Sequence, residues 1–76
     1  MRLRDIREDR DLTQQQLAIR LHIRQNTYSQ YENGQRGLPM DILIRLAELL
    51  ETSTDYILEL TDDPRPYPPS QRRRKP

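Results

Sequence analysis

The stretch Thr27–Gly34, T-Y-S-Q-Y-E-N-G, decides the reading of this chain, with L-T-Q at Leu12–Gln14 ahead of it. It describes a short helix with one apolar edge, one row of polar side chains and a sharp stop. On a wheel of about 100° per residue with Gln25 at zero, Ser29 falls at about 40°, Asn26 at about 100° and Gln30 at about 140°. Tyr31 and Tyr28 fall at about 240° and 300°, on the other side. One face can therefore pack while the other holds three amides and a hydroxyl outward. Asn33-Gly34 ends the helix, because Gly accepts the left-handed conformation without steric cost.

Working outward, Thr13 with Gln16 three residues on forms a capping box. The hydroxyl takes one orphan amide of the helix start and the Gln returns to another. Leu17, Ala18 and Leu21 share one face of that helix, and Ala18 is small where a second helix has to approach closely. Leu21-His22-Ile23 forms a turn, and the next helix restarts at Arg24 or Gln25 and runs to about Glu32. Residues 2–10 read as a first helix with Leu3 and Ile6 on one side; it is nearly polar all round and has to lean on its neighbours. Pro39 suits the first turn of a fourth helix. Its apolar stripe, the widest in the chain, holds Ile42, Leu43, Leu46, Ala47, Leu49 and Leu50. Ser53 can cap a short fifth helix that carries Tyr56, Ile57 and Leu60 or Leu58. No segment alternates with period two over a useful length, so the expected class is all-α.

The chain has 76 residues, one small domain at most. Of its 25 hydrophobic residues, 24 lie in residues 1–60, which must build the core. Residues 61–76 hold five of the six prolines and the basic run Arg72–Lys75, and read as an extended or disordered Pro/Arg-rich tail. Cysteine is absent, which removes disulfides, thiolate metal sites and thiol nucleophiles. No apolar run approaches a membrane span and the N-terminus has no signal-peptide pattern, so a soluble cytoplasmic protein is expected. The net charge of +1 conceals a division. Residues 1–60 set eight arginines against ten carboxylates, a net −2, whereas residues 61–76 set five cations against two carboxylates, a net +3. Bulk charge in the folded part therefore gives no argument for nucleic acid, and any such argument rests on a local basic face.

An amide-rich helix face has a specific chemical match. Gln and Asn accept from N6 and donate to N7 of adenine at the major-groove edge, which favours A·T pairs at contacted positions. Taken alone, amides on a short helix are usually a solvated surface. The weight comes from the assembly: capped helix, small residue, short turn, second short helix and Asn-Gly stop. Two helices joined by such a turn form the helix-turn-helix arrangement.

Four blocks carry a resemblance: L-T-Q-Q-Q-L-A (12–18), N-T-Y-S-Q-Y-E-N-G (26–34), L-P-M-D-I-L-I-R-L-A (38–47) and S-T-D-Y-I-L (53–58). Residues 3–62 resemble the helix-turn-helix family of phage Cro and repressor proteins and bacterial Xre-type regulators. The resemblance implies a five-helix lambda-repressor-like DNA-binding domain over residues 1–60, whose second and third helices form the motif. It implies a nucleoid-associated transcriptional regulator, a repressor that occupies an operator, bound to double-stranded DNA as a homodimer on a two-fold symmetric site. By position, Gln25, Asn26 and Gln30 fall where the family faces bases, and Ser29 is a further candidate for a base or phosphate contact. Gln14, at the start of the second helix, is implied as a phosphate contact, together with Thr27, Asn33 and Arg36. Arg24 adds a cation beside that face. Three positions depart from the family: His22 stands where the turn usually has Gly, Arg24 where a small hydroxyl N-cap is usual, and Glu51 where Gly or Asn often ends the fourth helix.

The remaining conspicuous residues read more plainly. His22, the lone His, is a turn residue, because no partner acid, Cys or second His accompanies it. Tyr28, Tyr31 and Tyr56 are packing residues with wet hydroxyls rather than stacking platforms for bases. Asp5, Glu8 and Asp9 are solvated helix surface, not a metal site. Ile44, Leu49, Ile57 and Leu60 are candidates for a dimer contact. The basic run is either a solubility segment or an electrostatic arm that adds phosphate contacts. The competing function is an antitoxin-like or anti-regulator subunit that uses the same fold to bind a protein; an apolar third-helix face would have favoured it. An enzyme is not expected, and neither a metal nor a cofactor, because the sequence has no acid–base pair, no nucleophile with a base and no glycine-rich phosphate loop.

Overall fold

The computed structural model describes residues 1–68 and places five α-helices in them, with no strand among the described residues. They are α1 (Leu3–Asp9), α2 (Gln14–Leu21), α3 (Gln25–Glu32), α4 (Met40–Leu49) and α5 (Thr54–Ile57). The all-α expectation holds, and so does the order of elements. The basic run Arg72–Lys75 lies outside the described residues.

α2 packs on α3 and α4, and α4 on α5. The core is a single cluster to which every helix contributes: Leu3 and Ile6, Leu17, Ala18 and Leu21, Tyr28 and Tyr31, Ile42, Leu46 and Ala47, and Ile57. Tyr28 and Leu46 have no exposed surface. Leu43 and Leu49 lie at the edge of the cluster, partly buried. The expected stripe on α4 is therefore the one that packs. Ile57 is fully buried, so it belongs to the core and is not available as a dimer contact. α5 ends at Ile57, sooner than expected, and leaves Leu58 and Leu60 exposed rather than packed.

Local chemistry fixes the helix starts. Thr13 Oγ1 accepts from the Gln16 amide at 3.0 Å, and Gln16 Oε1 accepts from the Thr13 amide at 2.9 Å, which completes the capping box. Ser53 Oγ accepts from the Tyr56 amide at 3.0 Å and caps α5. Arg24 occupies the N-cap of α3 in an extended conformation with no side-chain cap bond. Pro39 sits one residue before α4, as its N-cap residue.

The helix ends share one device. Asp11, His22, Gly34, Glu51 and Glu59 all adopt positive φ, between 54° and 75°. In each case the next amide reaches back five residues: Leu12 to Arg7, Ile23 to Ala18, Gln35 to Gln30, Thr52 to Ala47 and Leu60 to Asp55. This 6→1 bond satisfies a terminal carbonyl and turns the chain sharply. Four of the five ends use a residue with a Cβ, which is strained in this conformation by about 1–2 kcal/mol each. The three departures noted from sequence thus have two outcomes. His22 and Glu51 adopt the glycine-like conformation despite their side chains, and Arg24 leaves its helix without a capping side chain.

Arginines tie the elements together. Arg45 of α4 donates to the carbonyls of Arg20 and Leu21 at the end of α2, at 3.1 and 3.2 Å. Arg10 donates twice to the Leu50 carbonyl at the end of α4. Arg2 donates to the carbonyls of Tyr56 and Thr61 and lies 4.1 Å from the centre of the Tyr56 ring, a cation–π stack. The described part of the tail has no helix, as expected, but it returns to the fold. Thr52 Oγ1 donates to the Pro64 carbonyl at 2.8 Å, and the Tyr67 hydroxyl donates to the Asp55 carboxylate.

The strain at Glu51 is testable. Its side chain is exposed, so Glu51→Gly is expected to raise unfolding stability by roughly 0.5–1 kcal/mol, the relief at positive φ less the entropy of Gly. Glu51→Ala, which keeps a Cβ, is expected to bring no such gain. Urea denaturation checks the pair, and an equal effect of both changes would refute the assigned strain.

Candidate nucleic-acid interface

The face opposite Tyr28 and Tyr31 on α3 is built as the wheel implies. Gln25 and Asn26 are exposed, while Thr27, Ser29 and Gln30 are half-buried at its border. Gln25 and Asn26 make no side-chain hydrogen bond within the described residues. Asn33 follows as the C-cap of α3, and its Nδ2 donates to Ser29 Oγ at 3.4 Å. Arg24 and Arg36 flank the helix at its two ends, both exposed. The backbone amides of Gln35 and Arg36 both point to the Gln30 carbonyl, which folds the loop after α3 back against the helix.

What holds this helix in place is a buried carboxylate. Glu32 lies four residues after Tyr28, on the inward side of α3, and its side chain has no exposed surface. Arg7 of α1 grips it in fork geometry, Nε to Oε2 at 3.0 Å and Nη2 to Oε1 at 3.0 Å. Arg4, three residues earlier on the same helix, donates from Nε to Oε1 at 3.2 Å. Gln14, the first residue of α2, donates from Nε2 to Oε1 at 3.2 Å. The third Arg7 nitrogen donates to the Leu12 carbonyl at 2.7 Å, between α1 and α2. One carboxylate therefore joins α1, α2 and α3.

The electrostatics follow from this geometry. Burial pushes the Glu32 carboxyl up, but the polar groups around it, Arg7 foremost, then the nearby Tyr28 hydroxyl, Gln14 and Arg4, outweigh it and hold the group at about 2. The Glu32 bond raises Arg7 against the effect of its own burial. The Tyr28 hydroxyl is buried beside this cluster with no hydrogen-bond partner. Burial first, and the Glu32 charge after it, push its ionisation far up, so it stays a neutral phenol. The expected wet hydroxyl is corrected here, because Tyr28 is wholly enclosed.

The nine sequence-derived candidates are thus partly brought together. Gln25, Asn26, Ser29 and Gln30 share one face, with Thr27 beside them and Arg24, Asn33 and Arg36 at its ends. Gln14 stands apart in one respect, since its side-chain nitrogen is engaged by Glu32. Its helix N-terminus remains, and the amides of Gln14 and Gln15 find no acceptor among the described residues. Sequence reasoning missed Glu32, Arg4 and Arg7. Only a weak signal was available: on the same wheel Glu32 falls at about 340°, at the border between Gln25 and Tyr28, and a carboxylate at the edge of a packing face invites a cation.

Cations divide in a way that bears on the site. Arg2, Arg4, Arg7, Arg10 and Arg45 are engaged by carbonyls and carboxylates of the fold. The guanidinium groups of Arg20, Arg24 and Arg36 make no hydrogen bond or ion pair among the described residues. Two of these three flank α3. The described residues contain no group of His, Cys, Asp or Glu able to hold a metal ion.

A capped helix, a left-handed turn and a second helix with an outward polar face define a helix-turn-helix protein. The chain belongs to the Helix-turn-helix family, whose pattern matches residues 3–57. Its relatives in Bacillus subtilis (strain 168) include YobD, described as an uncharacterized HTH-type transcriptional regulator. That protein is 46% identical over 65 residues, 86% of this chain and 58% of YobD. ImmR, an HTH-type transcriptional regulator, is 39% identical over 57 residues, 75% of this chain and 45% of ImmR. The chain therefore spans about half the length of the curated relatives it matches. No solved structure matches it. No helix among the described residues is long and apolar enough to cross a membrane.

The Glu32 junction carries a stability prediction. Glu32→Gln leaves Arg7 buried without its counter-charge and is expected to cost roughly 3 kcal/mol. The sign with pH follows from the lowered carboxyl. Its contribution is complete above about 4.5, the ordinary value, and is lost as pH falls towards about 2. Urea midpoints measured from pH 7 to pH 2.5 are expected to fall more steeply below pH 4.5 in the native chain than in Glu32→Gln. Parallel curves would contradict the buried junction.

Proposed function

We propose that this chain is a sequence-specific DNA-binding transcriptional regulator that lays α3 in the major groove of double-stranded DNA. The observation that carries the reading is the outward face of α3, where uncommitted amides lie between two uncommitted arginines. Gln25, Asn26, Gln30 and Ser29 face base edges, and amide pairing with adenine gives A·T preference at some positions. Arg24, Thr27, Asn33 and Arg36 hold phosphates at the ends of the helix and fix the register. Gln14 takes part through the N-terminus of α2, whose unpaired amides and dipole suit an anion, while its side chain braces Glu32.

The regulatory consequence is repression by occupancy of an operator in the nucleoid of the cytoplasm. The relatives' description as transcriptional regulators supports the class. Two copies on a two-fold symmetric site would place two such helices about one helical turn apart. Ile44 and Leu60 remain exposed and suit a contact between copies.

Selection from random duplexes at about 0.15 M salt tests the reading. A symmetric, A·T-containing site is expected, and it is expected to disappear when Gln25 and Gln30 are both changed to Ala. Retention of a site unaffected by that double change would remove α3 from base reading. Arg36→Ala is expected to weaken all sequences alike and to reduce the slope of log affinity against log salt by about 0.9. A change confined to one sequence would refute its phosphate role.

A further inference from the structure

Ser29 lies on the polar arc of α3 with a hydroxyl that can donate or accept, and its neighbours settle which. Arg4 Nη2 donates to Asn33 Oδ1 at 2.9 Å. A guanidinium has only donors, so the Asn33 oxygen must face it and the amide nitrogen must face the other way. That nitrogen donates to Ser29 Oγ at 3.4 Å. Ser29 is thereby an acceptor on its inner side, and its proton goes to no helix carbonyl or other described group. Arg4 is anchored in turn by Glu32, through Nε at 3.2 Å.

We propose that Arg4 and Asn33 are positioning residues that make Ser29 a directed hydrogen-bond donor, so that it prefers a base presenting an acceptor to the major groove. Guanine O6 and N7, adenine N7 and thymine O4 qualify, and the cytosine amino group does not. The inference rests on the DNA-reading function above and adds to it a residue chain that begins on α1, outside the helix-turn-helix. One hydrogen of the Asn33 amide stays outside the relay, so a phosphate contact by Asn33 is compatible with it.

Asn33→Asp separates the relay from a structural role. The shape is kept and Arg4 still donates, but the introduced carboxylate presents only oxygens, so the Ser29 proton turns inward to it. All of Arg4, Asn33 and Ser29 lie at or near the surface, and circular dichroism checks that each variant folds. The experiment repeats duplex selection with the native chain, Ser29→Ala, Asn33→Asp and the double variant. Ser29→Ala and Asn33→Asp are each expected to reduce the preference for acceptor bases at one and the same position by about fivefold, the worth of one neutral hydrogen bond. The double variant is expected to reduce that preference no further. Asn33→Asp also weakens every sequence uniformly through its added charge, which leaves the base preference as the deciding readout. A native preference that survives Asn33→Asp, or that Ser29→Ala leaves unchanged, overturns the relay while leaving the DNA-reading function standing. A native chain that selects no site overturns that function, and the relay's role in base reading with it.

Discussion

The Glu32 carboxylate is the constraint on which the rest of the structure depends. It lies without exposed surface in the last turn of α3, where the helix dipole disfavours a negative charge. Two arginines of α1 and the first glutamine of α2 hold it there. A short helix of eight residues has little stability of its own. Its attitude relative to α2 is set by the packing of Tyr28 and Tyr31 and by the buried Glu32 beside them. The same carboxylate anchors Arg4, which orients Asn33 beneath Ser29. Packing of the domain and presentation of the polar face of α3 thus meet in one group.

Residues 1–60 carry a net charge of −2, but their cations are unevenly committed. Most of its arginines close helix ends or pair with carboxylates, where they contribute to the fold and little to an external field. The uncommitted ones are few, but two of them flank α3. On the proposed reading, residues 1–60 would add little long-range attraction to DNA, and contact chemistry would carry a larger share of their part in binding. The left-handed helix ends belong to the same logic. They let five short helices close around a small core with very short connections, at the cost of positive φ in four residues with side chains.

Much of this was legible in the sequence because local patterns sufficed. The Thr13–Gln16 capping box, the split between the tyrosine and amide faces of α3, and the stop at Gly34 each follow from a few neighbouring residues. His22 and Glu51 were recognisable as departures only against the family pattern. Asp11 and Glu59 carried no signal of their left-handed conformation, since nothing about either residue type requires it. The Glu32 junction links positions 18 to 28 residues apart, beyond any helical period, although the place of Glu32 on the wheel hinted at it. Ile57 looked spare as an apolar residue near the end of the domain, yet it fills the core because α5 is a single turn. The return of Pro64 and Tyr67 to the end of α4 and to α5 was hidden by a proline-rich composition that reads as unstructured.

The most direct test of the central claim is an NMR titration of the isotopically labelled full chain with its selected duplex. If α3 is the reading element, the largest shifts fall on the side-chain amides of Gln25, Asn26 and Gln30 and on the backbone amides at the start of α2, while α4, α5 and the buried core stay fixed. Shifts concentrated on the exposed faces of α4 and α5, with the α3 amides unmoved, would contradict it and assign the surface to a protein partner.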